Sequence, residues 1–234
     1  MHGWYENSKI WAQWMKPFQE SGWTWKNGER GYKSIQSLEP QWTKNETHKA
    51  KTKSRVVIAH SLGAHLIPKP VLSKATNIIF LSSFGNFIPR TGQSRALKIG
   101  LEGMKKSLAI NQEQVMLSNF LKKAYSPNKL TSVQKNYLKE NLSIGGKKKL
   151  MQDLDLLIKT SGLPVGIPTG AKVLVIESGK DLIVPQQTSN EFLYDLNNYL
   201  KENLTHWILP MKGHTLIDPG DLNRRILVWL EQWL

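Results

Sequence analysis

Ser61 lies in the run Val56-Val57-Ile58-Ala59-His60-Ser61-Leu62-Gly63-Ala64-His65, where an apolar β-branched stretch meets small residues and then a helical pattern. A serine hydroxyl becomes a useful nucleophile only when a base takes its proton and a tight strand-to-helix turn holds it out, which requires small neighbours on either side. Ala59 and Gly63 are those neighbours, with alanine where the pattern more often has glycine. The base and the acid that orients it must then come from later in the chain. Lys172 to Asp181 reads as a strand, a turn and an aspartate, and Thr205 to His214 as a strand, a glycine turn and a histidine. The order is therefore Ser61, Asp181, His214, each after a strand. Glu177 lies on its strand, His206 begins its own, and His60 and His65 flank the serine too closely to serve as its base. Acyl chemistry also needs two backbone N–H groups for the developing oxyanion. Leu62 follows the nucleophile and supplies one; the His2-Gly3-Trp4 turn aims the amide of Trp4 as the other.

These residues need a scaffold, and the chain alternates short apolar runs with amphipathic stretches, the mark of an α/β fold with a mostly parallel sheet. Strands are expected at Arg55 to His60, Asn77 to Ser82, Lys172 to Glu177 and Thr205 to Met211. Each is apolar nearly throughout, as in strands covered on both faces. Helices are expected at Ser8 to Gln19, Leu62 to Leu72, Pro185 to Asn203 and Leu222 to Leu234. The last carries a stripe of Ile226, Leu227, Leu230 and Leu234, with Asp221 as N-cap. From about residue 85 to 166 the alternation stops and four helical stretches follow: Ala96 to Ile110, Gln112 to Ala124, Ser132 to Ser143 and Lys147 to Thr160. The expected organisation is a core of residues 1–84 and 167–234 with a helical lid inserted at 85–166, returning through the Gly- and Pro-rich hinge at 162–170. Six of the nine tryptophans fall in the first 42 residues. Trp4 is placed to line an acyl pocket, whereas Trp11, Trp14, Trp23 and Trp25 pack between helix and sheet.

Composition excludes several chemistries. The 234 residues contain no cysteine, which rules out a disulfide, a thiolate metal site and a cysteine nucleophile. No His, Asp and Glu spacing suits a metal and no glycine loop cradles a phosphate, so no metal and no cofactor are expected. No apolar run approaches the roughly 20 residues of a membrane-spanning helix, and residues 1–7 do not read as a secretory signal, so the expected location is cytoplasmic. Asn45-Glu46-Thr47 and Asn203-Leu204-Thr205 match a glycosylation acceptor but carry no weight in that setting. The net charge is +14, and residues 85 to 165 hold 14 Lys or Arg against five Asp or Glu, a net +9. Such a surface attracts an acidic protein, nucleic acid or anionic lipid, or simply reflects lysine usage on solvated helices. The sparse aromatics there, Phe87, Phe120, Tyr125 and Tyr137, argue against stacking on single-stranded nucleic acid.

His2-Gly3-Trp4, Ala59-His60-Ser61-Leu62-Gly63, the Asp181 turn and Gly213-His214 together resemble an α/β-hydrolase fold serine esterase. With Leu81-Ser82-Ser83-Phe84 and the lysine-rich insertion added, the chain is most similar, over nearly its whole length, to the pimeloyl-[acyl-carrier protein] methyl ester esterases of biotin synthesis. The resemblance implies that Ser61, Asp181 and His214 hydrolyse the methyl ester of a dicarboxylic acyl chain on an acyl-carrier protein, releasing methanol. It also implies that Trp4 borders the acyl chain and that lid lysines, Lys122, Lys123, Lys147, Lys148 and Lys149, meet the acidic carrier. In that family an apolar strand precedes His-Gly-Trp. Here nothing strand-like precedes His2, so either the first sheet strands are missing or truncated, or the chain continues upstream. Two alternatives stand beside this reading: a general hydrolase of small esters or thioesters, and a non-catalytic basic binding protein. Oligomeric state is not readable from these residues.

Overall fold

The computed structural model describes residues 1–42, 54–92, 94–216 and 220–233; Asn45-Glu46-Thr47 and Leu234 lie outside them. Four parallel strands, β1 (Val56–His60), β2 (Asn77–Leu81), β3 (Lys172–Ser178) and β4 (Leu204–Leu209), form one sheet in the order β1-β2-β3-β4. The register pairs Ala59 with Phe80, Phe80 with Val175 and Ile176 with Trp207. Met1 runs against the open edge of β1: its amine donates to Ile58 O at 2.6 Å and its carbonyl accepts from His60 N at 3.0 Å.

Because successive side chains on a strand point to opposite faces, each inner strand feeds two cores. Val57, Ala59, Ile78, Phe80, Val173 and Val175 join one; Ile79, Leu81, Leu174 and Ile176 join the other. On the first face lie α2 (Lys69–Leu72) and α7 (Gln186–Leu200), contributing Leu72, Phe192, Leu196 and Leu200. On the second lie α1 (Ala12–Glu20) and α8 (Leu222–Glu231), where Trp14, Phe18, Ile226 and Leu230 are buried. Trp11 is buried in the same cluster and Trp23 and Trp25 pack against it.

Several expected boundaries shift for local reasons. The continuous helix over Leu62 to Leu72 does not form: Ser61–Leu66 is a 3-10 turn, Ile67 is extended, and only Lys69–Leu72 is α-helical. Pro68 explains the break, since it removes an N–H and disfavours helical backbone at Ile67, whereas Pro70 is tolerated in the first turn of α2. The first helix likewise opens with a 3-10 turn, Ser8–Trp11, where Asn7 Oδ1 accepts from Lys9 N. Asp221 occupies the N-cap position of α8 but makes no side-chain capping bond. β4 is not covered on both faces: it is half-buried with His206 and Ile208 exposed, as suits an edge strand, and it stops at Leu209 before Pro210.

Between β2 and β3 come α3 (Ser94–Ala109), α4 (Glu113–Tyr125), α5 (Ser132–Lys139) and α6 (Gly146–Lys159), with no strand among the described residues. The third ends four residues short of the expected Ser143, at an extended Glu140. These helices form a third cluster with Trp4, Tyr5, Tyr32, Leu62 and Phe84. Asp153 on α6, buried, clamps the insertion to the amino-terminal segment: Arg30 meets it with two hydrogen bonds of 2.8 and 2.7 Å and Tyr32 Oη donates to it at 2.6 Å.

Candidate active site

β1 delivers Ser61 to a turn in which its φ is +53°, a left-handed conformation rare for a residue with a side chain. That turn interlocks with the amino-terminal one. A Cβ on Gly63 would run into the carbonyl oxygens of Met1 and His2, so only glycine lets the two turns pass. Gly3 in turn packs on Ser61, where an added Cβ would stand 3.0 Å from the serine Cβ.

His214 Nε2 lies 3.0 Å from Ser61 Oγ, and its Nδ1 lies 2.8 Å from Asp181 Oδ2. The other Asp181 oxygen accepts from the amides of Ile183 at 2.7 Å and Val184 at 2.9 Å. Burial opposes ionisation of Asp181, but the charge and hydrogen bond of His214, with those two amides, outweigh it and hold the carboxyl below its ordinary range. All three side chains come from turns at the carboxyl ends of parallel strands, where loops of an open α/β sheet gather. The competing acid, Glu177, is occupied elsewhere: its Oε2 lies 2.9 Å from His206 Nε2. His65 hydrogen-bonds Phe84 O at 2.8 Å and stacks on the Phe84 ring.

The loop carrying His214 is braced by the insertion. Thr215 N donates to Ala124 O, at the end of α4, at 3.1 Å, and a Cβ on Gly213 would collide with Ser126 O. The glycine before His214 therefore lets the segment after α4 pack closely against this loop.

Ser61 opens into a cavity of about 1000 Å³ whose wall includes Trp4, Leu62, Phe87, Leu101, Phe120 and Ile183. Trp4 is fixed there by its indole Nε1, which donates to Leu150 O at 3.1 Å, and by an edge-on contact with Phe120. Of the five lysines expected to meet a partner, Lys122, Lys123 and Lys148 are exposed, and Lys123 also reaches the cavity wall. Lys147 is engaged within the insertion, by Asn111 and by Glu113 at 3.4 Å, and Lys149 is half-buried near Gly31. Among the described residues no group of three His, Asp or Glu could hold a metal ion, and no helix is long and apolar enough to cross a membrane.

Sequence reasoning missed two features. One is the small-residue face that α3 turns to the cavity, Ala96, Gly100, Gly103 and Ser107, whose spacing is helical and could have been read directly. The other is a buried pair of Glu6 and His60 beside the triad, with a 2.9 Å contact between Glu6 Oε2 and His60 Nδ1. Its signal was faint, because the partners lie 54 residues apart.

The chain's sequence matches no family model and no curated protein. Its fold has many counterparts. An esterase (EaEST) from Exiguobacterium antarcticum superposes with a TM-score of 0.72 at 14% identity, over 99% of this chain and 90% of the other. MenH from S. aureus gives 0.61 at 15% identity, over 99% and 92%. An α/β-hydrolase enzyme, MGS-M2, from a Medee basin deep-sea metagenome library gives 0.64 at 14% identity, over 99% and 87%. The architecture is thus the α/β-hydrolase fold.

Proposed function

We propose that this chain is a serine carboxylesterase with Ser61 as nucleophile. The observation that carries the reading is the unbroken hydrogen-bonded chain Ser61, His214, Asp181 on the wall of a large, mainly apolar cavity. In the reaction, His214 Nε2 takes the Ser61 proton as Oγ attacks the ester carbonyl carbon. The oxyanion is received by the backbone N–H groups of Trp4 and Leu62, two residues that line the cavity. His214 then hands the proton to the leaving alkoxide, which departs as alcohol. Water, deprotonated by His214, attacks the acyl-serine, and the acid leaves as Ser61 is reprotonated. Asp181 keeps the Nδ1 proton directed toward itself and balances the imidazolium formed in each half. Replacing Ser61→Ala is expected to lower turnover of p-nitrophenyl butyrate by about 10³ to 10⁶-fold, with an unchanged melting temperature. Activity within tenfold of wild type would defeat the reading.

The finer proposal is that the ester is a methyl ester of a dicarboxylic acyl chain, the pimeloyl group, on an acyl-carrier protein. Two features support it: the apolar cavity, which suits a medium-length acyl chain, and the exposed Lys122, Lys123 and Lys148, which suit an acidic carrier. The same triad serves free esters and thioesters. A carrier-bound methyl ester hydrolysed with a kcat/KM at least tenfold above that of the free methyl ester supports the carrier; equal values assign the chain to small esters.

A further inference from the structure

Beside the triad lies a second carboxylate–imidazole pair that the hydrolytic steps leave unused. His60, the last residue of β1, is 1% exposed, and both of its ring nitrogens meet acceptors: Nδ1 faces Glu6 Oε2 at 2.9 Å and Nε2 faces the carbonyl oxygen of His214 at 3.0 Å. A neutral imidazole has one N–H and an imidazolium two, so the ring serves both acceptors as donor only when doubly protonated, with Glu6 carrying the balancing charge. The same Glu6 oxygen accepts from Gly3 N at 2.7 Å. One buried pair therefore grips the backbone on both sides of Ser61. On one side it holds Gly3, whose neighbour Trp4 offers the oxyanion amide; on the other it holds the backbone of the base itself.

We propose that Glu6 and His60 are positioning residues, which set the oxyanion turn and the His214 loop in register with Ser61. The proposal rests on the esterase reading of Ser61, His214 and Asp181. It has a physical motive, since catalytic geometry tolerates errors of only about 0.5 Å and is held best by groups on rigid elements. His60 is the buried last residue of β1, and its ring lies 4.9 Å, centroid to centroid, from that of His214. Burial disfavours charge on both partners, yet their mutual attraction and hydrogen bond prevail, raising the His60 pKa and lowering that of Glu6. The other titratable groups around the pair are the Met1 amine, His2 and Tyr137 on the Glu6 side and His214 and Asp181 on the far side.

The test compares wild type with His60→Gln, Glu6→Gln and the double variant, using kcat and KM for p-nitrophenyl butyrate across pH and the melting temperature of each. Glu6→Gln keeps the shape and an acceptor for Gly3 N, and so stays informative if His60→Gln fails to fold. Each single variant is expected to lower kcat by about 10 to 100-fold with KM within about threefold, in line with partners that orient reacting groups. The double variant is expected to be no worse than the weaker single one, because the two act as a unit. His60→Gln also removes a cation and leaves the Glu6 charge uncovered near His214. The acid limb of kcat/KM is therefore expected to move up by about 0.5 pH unit or more, whereas loss of structure alone lowers the plateau and leaves the limb in place. An active wild type with kcat unchanged within threefold in both single variants overturns the positioning role and spares the esterase. A wild type no more active than Ser61→Ala overturns the esterase reading and this proposal with it.

Discussion

Glu177 and Asp181 stand four residues apart around the end of β3, and each meets a histidine through a contact of 2.9 or 2.8 Å. Only the Asp181 pair continues to a serine, which distinguishes two carboxylate–imidazole pairs of similar geometry. Asp181→Asn is expected to cost about 10⁴-fold in turnover by favouring the wrong imidazole tautomer. Glu177→Gln, measured in the same assay, is expected to stay within about threefold of wild type. A fall of equal size in both variants would mean that the strand end, rather than the acid, had been damaged. The depressed Asp181 pKa also bears on stability. Its ionised form is favoured by the fold, so its contribution is full above the ordinary value of 3.8 and is lost as pH falls through the lower folded value. Urea midpoints measured from pH 5 down to about 2 are expected to drop more steeply for wild type than for Asp181→Asn. The juxtaposition of Ser61, His214 and Asp181 was legible in the sequence because each sits in a strand-plus-turn setting. The role of His60 was not, because its neighbours in the sequence give no sign of its partners, the Glu6 carboxylate and a backbone carbonyl 154 residues away.

At the scale of elements, α3 is the one whose residues are hardest to explain by packing. A Cβ added to Gly100 or Gly103 would meet nothing within 4 Å, and neither has a left-handed backbone that calls for glycine. A glycine inside a helix costs about 1 kcal/mol relative to alanine, so these two weaken the helix while opening the cavity wall. Gly100→Ala and Gly103→Ala are each expected to raise the melting temperature. Gly100→Phe is expected to fill the cavity, lowering kcat/KM for p-nitrophenyl decanoate by about tenfold or more while that for the acetate stays within threefold. An unchanged chain-length profile would show that acyl chains run elsewhere. The elements themselves were unevenly legible. The inner strands announced themselves because both faces are covered and the residues are apolar throughout, as in Ile78-Ile79-Phe80-Leu81. β4 misled because Trp207, Ile208 and Leu209 look like core, yet at the sheet edge Ile208 faces solvent. Leu62 to Leu72 misled because its apolar spacing is helical, whereas in the fold Ile67 before Pro68 is extended and the α-helix begins only at Lys69.

Across the whole molecule the charge of +14 is the largest unassigned quantity. Part of it is neutralised locally: Lys105 lies 2.6 Å from Asp155, Lys147 meets Glu113, and Arg90 meets Glu191 and Asp195. Reversing those residues would break contacts that hold the insertion or tie it to α7, so they are poor probes of a partner. Lys122 and Lys148 are exposed, and the structure places neither on the cavity wall. Exposed charges act mainly on encounter and its salt dependence. Reversing both to Glu is therefore expected to raise KM for an ester on an acidic carrier protein by about tenfold at an ionic strength of about 0.02 M. Hydrolysis of a small neutral ester, which has no charge to steer, is expected to stay within twofold. Raising the ionic strength to about 0.3 M shortens the Debye length from roughly 20 Å to 6 Å, so wild type and variant are expected to converge on the carrier substrate. Equal losses on both substrates would assign the lysines to the structure of the insertion. No loss on either would leave the basic surface without a carrier to attract, and the enzyme would then be an esterase of free acyl esters.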